Sequence, residues 1–216
     1  MTNSFHKDTP LVRFAIHKKR PNKVAFKIYH KTLIFVIILH KILLVVFMKL
    51  KYNLIAFLFI GIFATLGHFF YEWSGENILI SYFFPINEST WEHLKLLFFP
   101  TIIFSIIEYI FVKNEIKNHI ASVTISVIIG MFAIITLFYT YQGILGENVD
   151  FINISIFYVS LIIMLWVKNR IIESEKFNGQ NATLICIFIC FVITLLFVFF
   201  TYNPPVIGLF KTPHAV

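Results

Sequence analysis

Charge is what this sequence has least of. Only 13% of its 216 residues are Asp, Glu, Lys or Arg, where a soluble domain carries about 25%. Such a chain cannot wet the surface of a globular domain, which excludes a soluble one. Intrinsic disorder is excluded as well, because it requires low hydrophobicity together with high charge. Glycine and proline are sparse at 8 and 7 residues, and they form no flexible or Pro-rich linker. The only two cysteines, Cys186 and Cys190, lie one helical turn apart in an apolar run. Two thiols without a nearby histidine make a poor soft-metal site and read as small buried hydrophobes. What is present is apolar: 58% hydrophobic residues, 27 of them Phe, and a mean hydropathy of +0.82. The class is integral membrane protein.

The formal net charge of +7 looks at first like a nucleic-acid signal. Its location argues otherwise. Residues 1–51 hold eleven basic residues and one acid, Asp8, a local balance of +10; residues 52–216 hold seven basic and ten acidic residues, or −3. A basic flank of this kind orients a membrane protein by staying in the cytoplasm. No nucleic-acid motif accompanies it, and no nucleic-acid partner is expected.

About 20 apolar residues cross a bilayer as a helix. Five stretches are read as spans: 52–71, 94–112, 120–141, 152–167 and 183–202. The fourth is short at 16 residues and would need flanking residues to snorkel. A further stretch, Thr32–Met48, carries His40 and Lys41 at its centre, and a central Lys costs about 2.5–3.5 kcal/mol on insertion scales. Five spans with the N-terminus inside and the C-terminus outside put 16 of the 18 basic residues on inner segments, leaving Lys95 and Lys211 on the outer half. Trp73 and Trp91 then fall at the outer boundary and Trp166 at the inner one, as an aromatic belt requires. The expectation is an all-α, polytopic five-helix bundle in a bacterial cytoplasmic membrane, with the lipid bilayer as its environment and room for a homo-oligomer or membrane partner. It comprises a membrane domain over 48–216 and a basic arm over 1–47. Met48-Lys-Leu-Lys reads as a natural start, and the arm as an upstream extension or a surface-bound helix.

The informative polar residues cluster where the first two spans meet the outer boundary. His68 and Glu72 are four residues apart and share a helix face. The loop Pro85-Ile-Asn-Glu-Ser-Thr-Trp-Glu-His-Leu-Lys95 follows. Within it Ser89-x-x-Glu92 fits a capping box, with Glu92 reaching back to the cap. Antiparallel neighbours joined there would set His68 and Glu72 at about the depth of Glu88, Glu92 and His93. Two imidazoles and three carboxylates at one level are candidates for acid–base chemistry or for a divalent metal, with His68, Glu72, Glu92 and His93 as tentative ligands. The plainer reading has Glu92 spent on the cap, Glu88 and Lys95 solvated, and His93 resting among headgroups. Glu108, inside the second span, is a candidate for transport, since ionisable groups at that depth are costly; snorkelling toward Lys113 competes with that role. Pro100 removes a backbone donor from the same helix.

Gly67-His-Phe-Phe-Tyr-Glu-Trp73, the 85–95 block, Phe138-Tyr-Thr-Tyr-Gln-Gly-Ile-Leu-Gly146 and Asn203-Pro-Pro205 resemble, in order and spacing, a bacterial integral-membrane family of unknown function. The resemblance runs from about Met48 to Lys211. It implies a fold and no activity. Residues 1–47 have no counterpart in it, and Phe210–Val216 differs from the tail of the family. Three functions remain open: a packed bundle with a non-catalytic accessory role, a membrane-embedded hydrolase using the His/Glu cluster with or without a divalent metal, and a small ion-coupled transporter.

Overall fold

Hydrocarbon offers a peptide group no hydrogen-bond partner, so apolar runs of this length persist in a bilayer only as helices that pair their own backbone. In the computed structural model, which describes residues 51–112 and 116–213, the five apolar runs are five long helices. They are α1 (Lys51–Trp73), α3 (Thr90–Val112), α4 (His119–Leu145), α5 (Asp150–Ser174) and α6 (Gln180–Tyr202). A single-turn helix α2 (Ile78–Ser81) lies in the first loop, and a 3-10 turn, Gly208–Phe210, follows α6. Among the described residues there is no strand. The basic arm, the Thr32–Met48 stretch and the Met48 start fall outside the described residues.

The fourth helix runs 25 residues, Asp150–Ser174, past both ends of the 152–167 stretch. The charge that closed the apolar run, Lys168, is itself buried, and the helix continues through it.

Because lipid tails are as apolar as leucine, helices in a membrane associate through packing and polar contacts rather than hydrophobic exclusion. The packing centre joins Leu97 and Phe98 of α3, Val127 of α4, Leu161 and Met164 of α5, and Phe197 of α6. Gly130 brings α4 close to its neighbours: a Cβ there would stand 2.9 Å from Leu97 and 3.0 Å from Met164. The opposite faces present Ile106, Phe132, Phe188 and Phe199, all exposed as lipid-facing side chains are.

Two buried ionic centres tie the helices together, one at each end of α3. At its N-terminal end Lys95 and Glu92 are 0% and 2% exposed and form an ion pair of 2.7 Å. An ammonium has three hydrogens to satisfy. Lys95 Nζ donates to Glu92 Oε2, to Thr201 Oγ1 on α6 at 2.6 Å, and to the Ser81 carbonyl on α2 at 2.9 Å. Glu92 Oε2 also accepts from the Ile86 amide (3.1 Å), and its Oε1 stands 3.2 Å from the Thr201 hydroxyl. Lys95, read from the sequence as solvated, is therefore the best buried cation among the described residues. The solvated reading failed because three acceptors, one each from α2, α3 and α6, surround it.

At the other end of α3, Glu108 Oε2 accepts from His119 Nε2 at 2.9 Å and from Lys168, with Lys168 lying over the Phe104 ring. This links α3, α4 and α5. The adjacent Asn118 amide donates to the carbonyls of Ile171 and Lys176 at 2.8 and 2.9 Å. Glu108 is thus matched inside the bundle rather than carried toward Lys113.

Breaking a buried pair leaves an uncompensated charge, at a cost of about 3–5 kcal/mol, whereas replacing both partners by apolar groups is often neutral. Lys95→Met is expected to lower stability by that amount, and Glu92→Leu/Lys95→Met to recover most of it. Reversible unfolding in detergent micelles measures both.

Candidate functional site

The first polar helix end is built by local sequence. Ser89 is the N-cap of α3: its Oγ accepts from the Glu92 amide at 3.3 Å, as the spacing predicts. The reciprocal half of the box is different. The Ser89 amide donates to Asn87 Oδ1 at 2.9 Å, an Asx turn, so Glu92 reaches past the cap to the Ile86 amide and to Lys95. The loop is pressed onto α1 by Phe84, whose ring meets Phe70 at 4.9 Å. Gly67 allows that approach, since a Cβ there would come within 2.9 Å of the Phe84 ring. The residue after Gly67 is His68.

As a result His68 of α1, Glu88 of the loop and His93 of α3 converge. Their ligand atoms all lie within 4.8 Å of one another. His68 Nε2 is 3.5 Å from Glu88 Oε1, and His93 Nε2 is 3.4 Å from Glu88 Oε2. The two imidazole rings are 5.3 Å apart at 37°. Both histidine side chains are about one-third exposed and Glu88 is 65% exposed, so the cluster opens to the surface.

The hydrogen-bond partners assign the His93 tautomer. Its Nδ1 lies 2.9 Å from the Ser89 carbonyl, and a carbonyl can only accept, so Nδ1 carries the proton. In the neutral ring Nε2 is then a lone pair, and it faces a carboxylate oxygen. Two lone pairs at 3.4 Å repel unless a positive charge stands between them, either a proton on Nε2 or a metal ion. Glu88 has the matching electrostatics. Its pairing with His93 is the largest cause that holds its carboxyl below the usual carboxylate range; burial, the next in size, opposes it, and the charges of His93 and His68 add to the lowering.

Glu72 does not join this cluster. It is exposed one turn further along α1, and its carbonyl accepts from the Gly75 amide where the helix ends. Glu92, next to His93, spends both oxygens inside the bundle. The segment after α6 packs on Trp91 and on the end of α4. Phe210 of the 3-10 turn packs on the Trp91 ring at 4.8 Å, and Gly208 lies beside Tyr139. Tyr141 closes the turn from α4 to α5 by donating to Asn148 at 2.9 Å and bonding Asn153. Cys190 Sγ is 3.3 Å from Thr124 Oγ1, and Cys186 is buried.

Sequence reasoning missed His119 and Lys168 as partners of Glu108. The available signal was depth: Glu108 and Lys168 lie within about two turns of the C-terminal ends of α3 and α5, and His119 opens α4 beside them, where a buried acid needs a cation. It also missed the inward use of Lys95, although Glu92 and Lys95 are three residues apart on one helix face.

Comparison with the curated proteins and with the solved structures finds no match in either. A family model matches residues 43–215, which takes in the whole membrane bundle and the segment after Asn203-Pro-Pro205. The chain therefore belongs to the family of unknown function DUF6512.

Proposed function

We propose that this multi-pass membrane protein binds one divalent transition-metal ion at His68, Glu88 and His93, on the outer face of a bacterial cytoplasmic membrane. The observation that carries the reading is the pair of 3.4 and 3.5 Å separations between the imidazole nitrogens and the two Glu88 oxygens. They exceed good hydrogen-bond lengths. They suit atoms at neighbouring corners of a tetrahedron around an ion bound at about 2.0–2.1 Å. The Ser89 carbonyl on His93 Nδ1 supports the same reading, since a ligating histidine is oriented by a hydrogen bond on its other nitrogen. Two nitrogens and a carboxylate suit zinc and its first-row neighbours better than calcium or magnesium.

Three protein ligands leave a position for water, the pattern of catalytic rather than structural zinc. Held by His68, Glu88 and His93, such an ion would supply a water-derived nucleophile at neutral pH. The reaction class this favours is metal-assisted hydrolysis at the membrane surface. An accessory role would need none of these features. Transport through Glu108 has less support, because Lys168 and His119 already match that carboxylate.

Metal analysis of the purified full chain is expected to give one equivalent of zinc or manganese. His68→Ala, Glu88→Ala and His93→Ala should each lower occupancy at least tenfold, while Glu72→Ala keeps it. Full retention in the three ligand variants would sink the reading.

The pH dependence follows from the ligands. Glu88, with its carboxyl held low, contributes its charge above the ordinary carboxylate range and loses it only as pH falls through the lowered value. In acidic solution protons compete with the ion for the ligand nitrogens, so metal affinity is expected to fall as pH drops. Isothermal titration at several pH values measures the slope.

The orientation is part of the proposal and rests on the positive-inside distribution. Reporter fusions after Lys117 are expected to show a cytoplasmic position, and fusions after Gly146 an external one. The reverse pattern would place the histidine cluster inside.

A further inference from the structure

The substrate of the proposed metal centre can be narrowed from what surrounds it. His68 borders the lipid-facing side of α1. Its ring meets Phe69 edge-on at 5.2 Å, and Phe69 is stacked on Trp73 at 5.6 Å and 19°. Phe69 is 41% exposed and Trp73 66%. They continue an exposed stripe that begins with Leu58 and Ile62, spaced four or seven residues apart as one helix face requires. Five residues of helix, a rise of about 7.5 Å, separate His68 from Trp73. The polar layer on each side of a bilayer is about 5–8 Å thick. With Trp73 at headgroup level, where exposed tryptophans settle, His68 lies at the edge of the hydrocarbon. What reaches it there is the linkage region of a lipid rather than its headgroup.

The charge around the centre selects among linkages. From Leu66 to Lys95 the exposed acids are Glu72, Glu76 and Glu88, while the one lysine, Lys95, is 0% exposed and committed to Glu92 and Thr201. A transferred phosphoryl group carries charge on several oxygens and is held by Arg or Lys beside any metal ion. This stretch offers neither, and Glu72, on the same helix face as His68, repels an anion. A carboxylic ester is neutral and needs no such clamp. A peptide has less support, since extended peptides are commonly held along a sheet edge and the described residues include no strand.

Resting on the metal reading above, we infer that the centre hydrolyses the acyl ester of a membrane lipid with an uncharged headgroup, a diacylglycerol in the simplest case. The acyl chain lies along the stripe of Leu58, Ile62 and Phe69, and the ester stands level with His68 and Glu88. Water adds its oxygen to the acyl carbon, and the acyl C–O bond breaks. One water proton goes to the departing alcohol and the other to solvent, leaving a fatty-acid anion.

The test begins with binding. The purified full chain, loaded with cobalt in dodecylmaltoside micelles, is titrated with oleoyl hydroxamate and with oleyl phosphonate, read from the visible absorption of the metal. The probes share a chain length and differ in the head, an acyl group with at most one charge against a phosphoryl dianion. The hydroxamate is expected to bind about tenfold more tightly. In Glu72→Gln/Glu76→Gln, which removes surface charge and no ligand, the phosphonate should gain about threefold or more while the hydroxamate is unchanged. An unchanged ratio would overturn the inference. The zinc-loaded chain should then release oleate from dioleoylglycerol with kcat/KM about tenfold above that for dioleoylphosphatidate, which adds a phosphate to the same esters. A preference for the phosphatidate, or cleavage of casein in place of the lipid, would also overturn it. A chain that binds no metal ends the metal reading and this one together; a metal-loaded chain with the reverse preferences ends this one alone.

Discussion

The arrangement depends on a lysine that cannot reach water. Lys95 lies a turn and a half inside α3 with no exposed surface, and all three of its hydrogens are committed to groups from α2, α3 and α6. A charge at this depth is tolerated only where every donor is matched. Matching it fixes the height of Thr201, the position of Ser81 and the direction of Glu92 at once. Ser81 Oγ lies 2.7 Å from the Tyr202 hydroxyl, which extends the same network across the start of the C-terminal segment. A hydrophobic contact tolerates sliding by an ångström; this network does not.

Glu92 and His93 are neighbours in sequence and divide the work between the two sides of one helix. The carboxylate turns inward to the lysine, and the imidazole turns outward to Glu88. On a helix, successive residues point about 100° apart, so fixing Glu92 fixes the azimuth of His93. The Ser89 carbonyl then sets its ring. On the α1 side, the contact of Gly67 with Phe84 does the same for His68. The cluster is preorganised by packing beneath it rather than by the loop that carries Glu88, which suits a site whose members come from separate elements.

The five spans were legible because hydropathy responds to the one property that a bilayer enforces. The helix of the fourth continues past Val167, because Lys168 is buried against Glu108 rather than ending it. The His68 and His93 convergence was legible as a shared depth, but the choice between Glu72, Glu88 and Glu92 was not. That choice depends on side-chain direction across the loop, and it was decided by a lysine whose burial no composition reveals. The capping box showed the same limit: the Ser89 half is local and was readable, whereas Glu92 answered a long-range partner. His119 was missed because its role exists only in company with residues 11 and 49 positions away in sequence.

The reach of that lysine also bears on how the chain enters the membrane. Thr201 is 106 residues downstream of Lys95, in the last of the five described spans. When α3 leaves the ribosome, Glu92 and the Ser81 carbonyl are already made, but the third acceptor is not. Until α6 arrives, one ammonium hydrogen has no partner within the bundle and must be answered by water or by headgroups. The helix is therefore a poor lodger in lipid during the interval, held near an aqueous boundary until the final span closes over it. Biogenesis of this bundle is a process that finishes at its end, with the last helix converting a provisional insertion into a settled one.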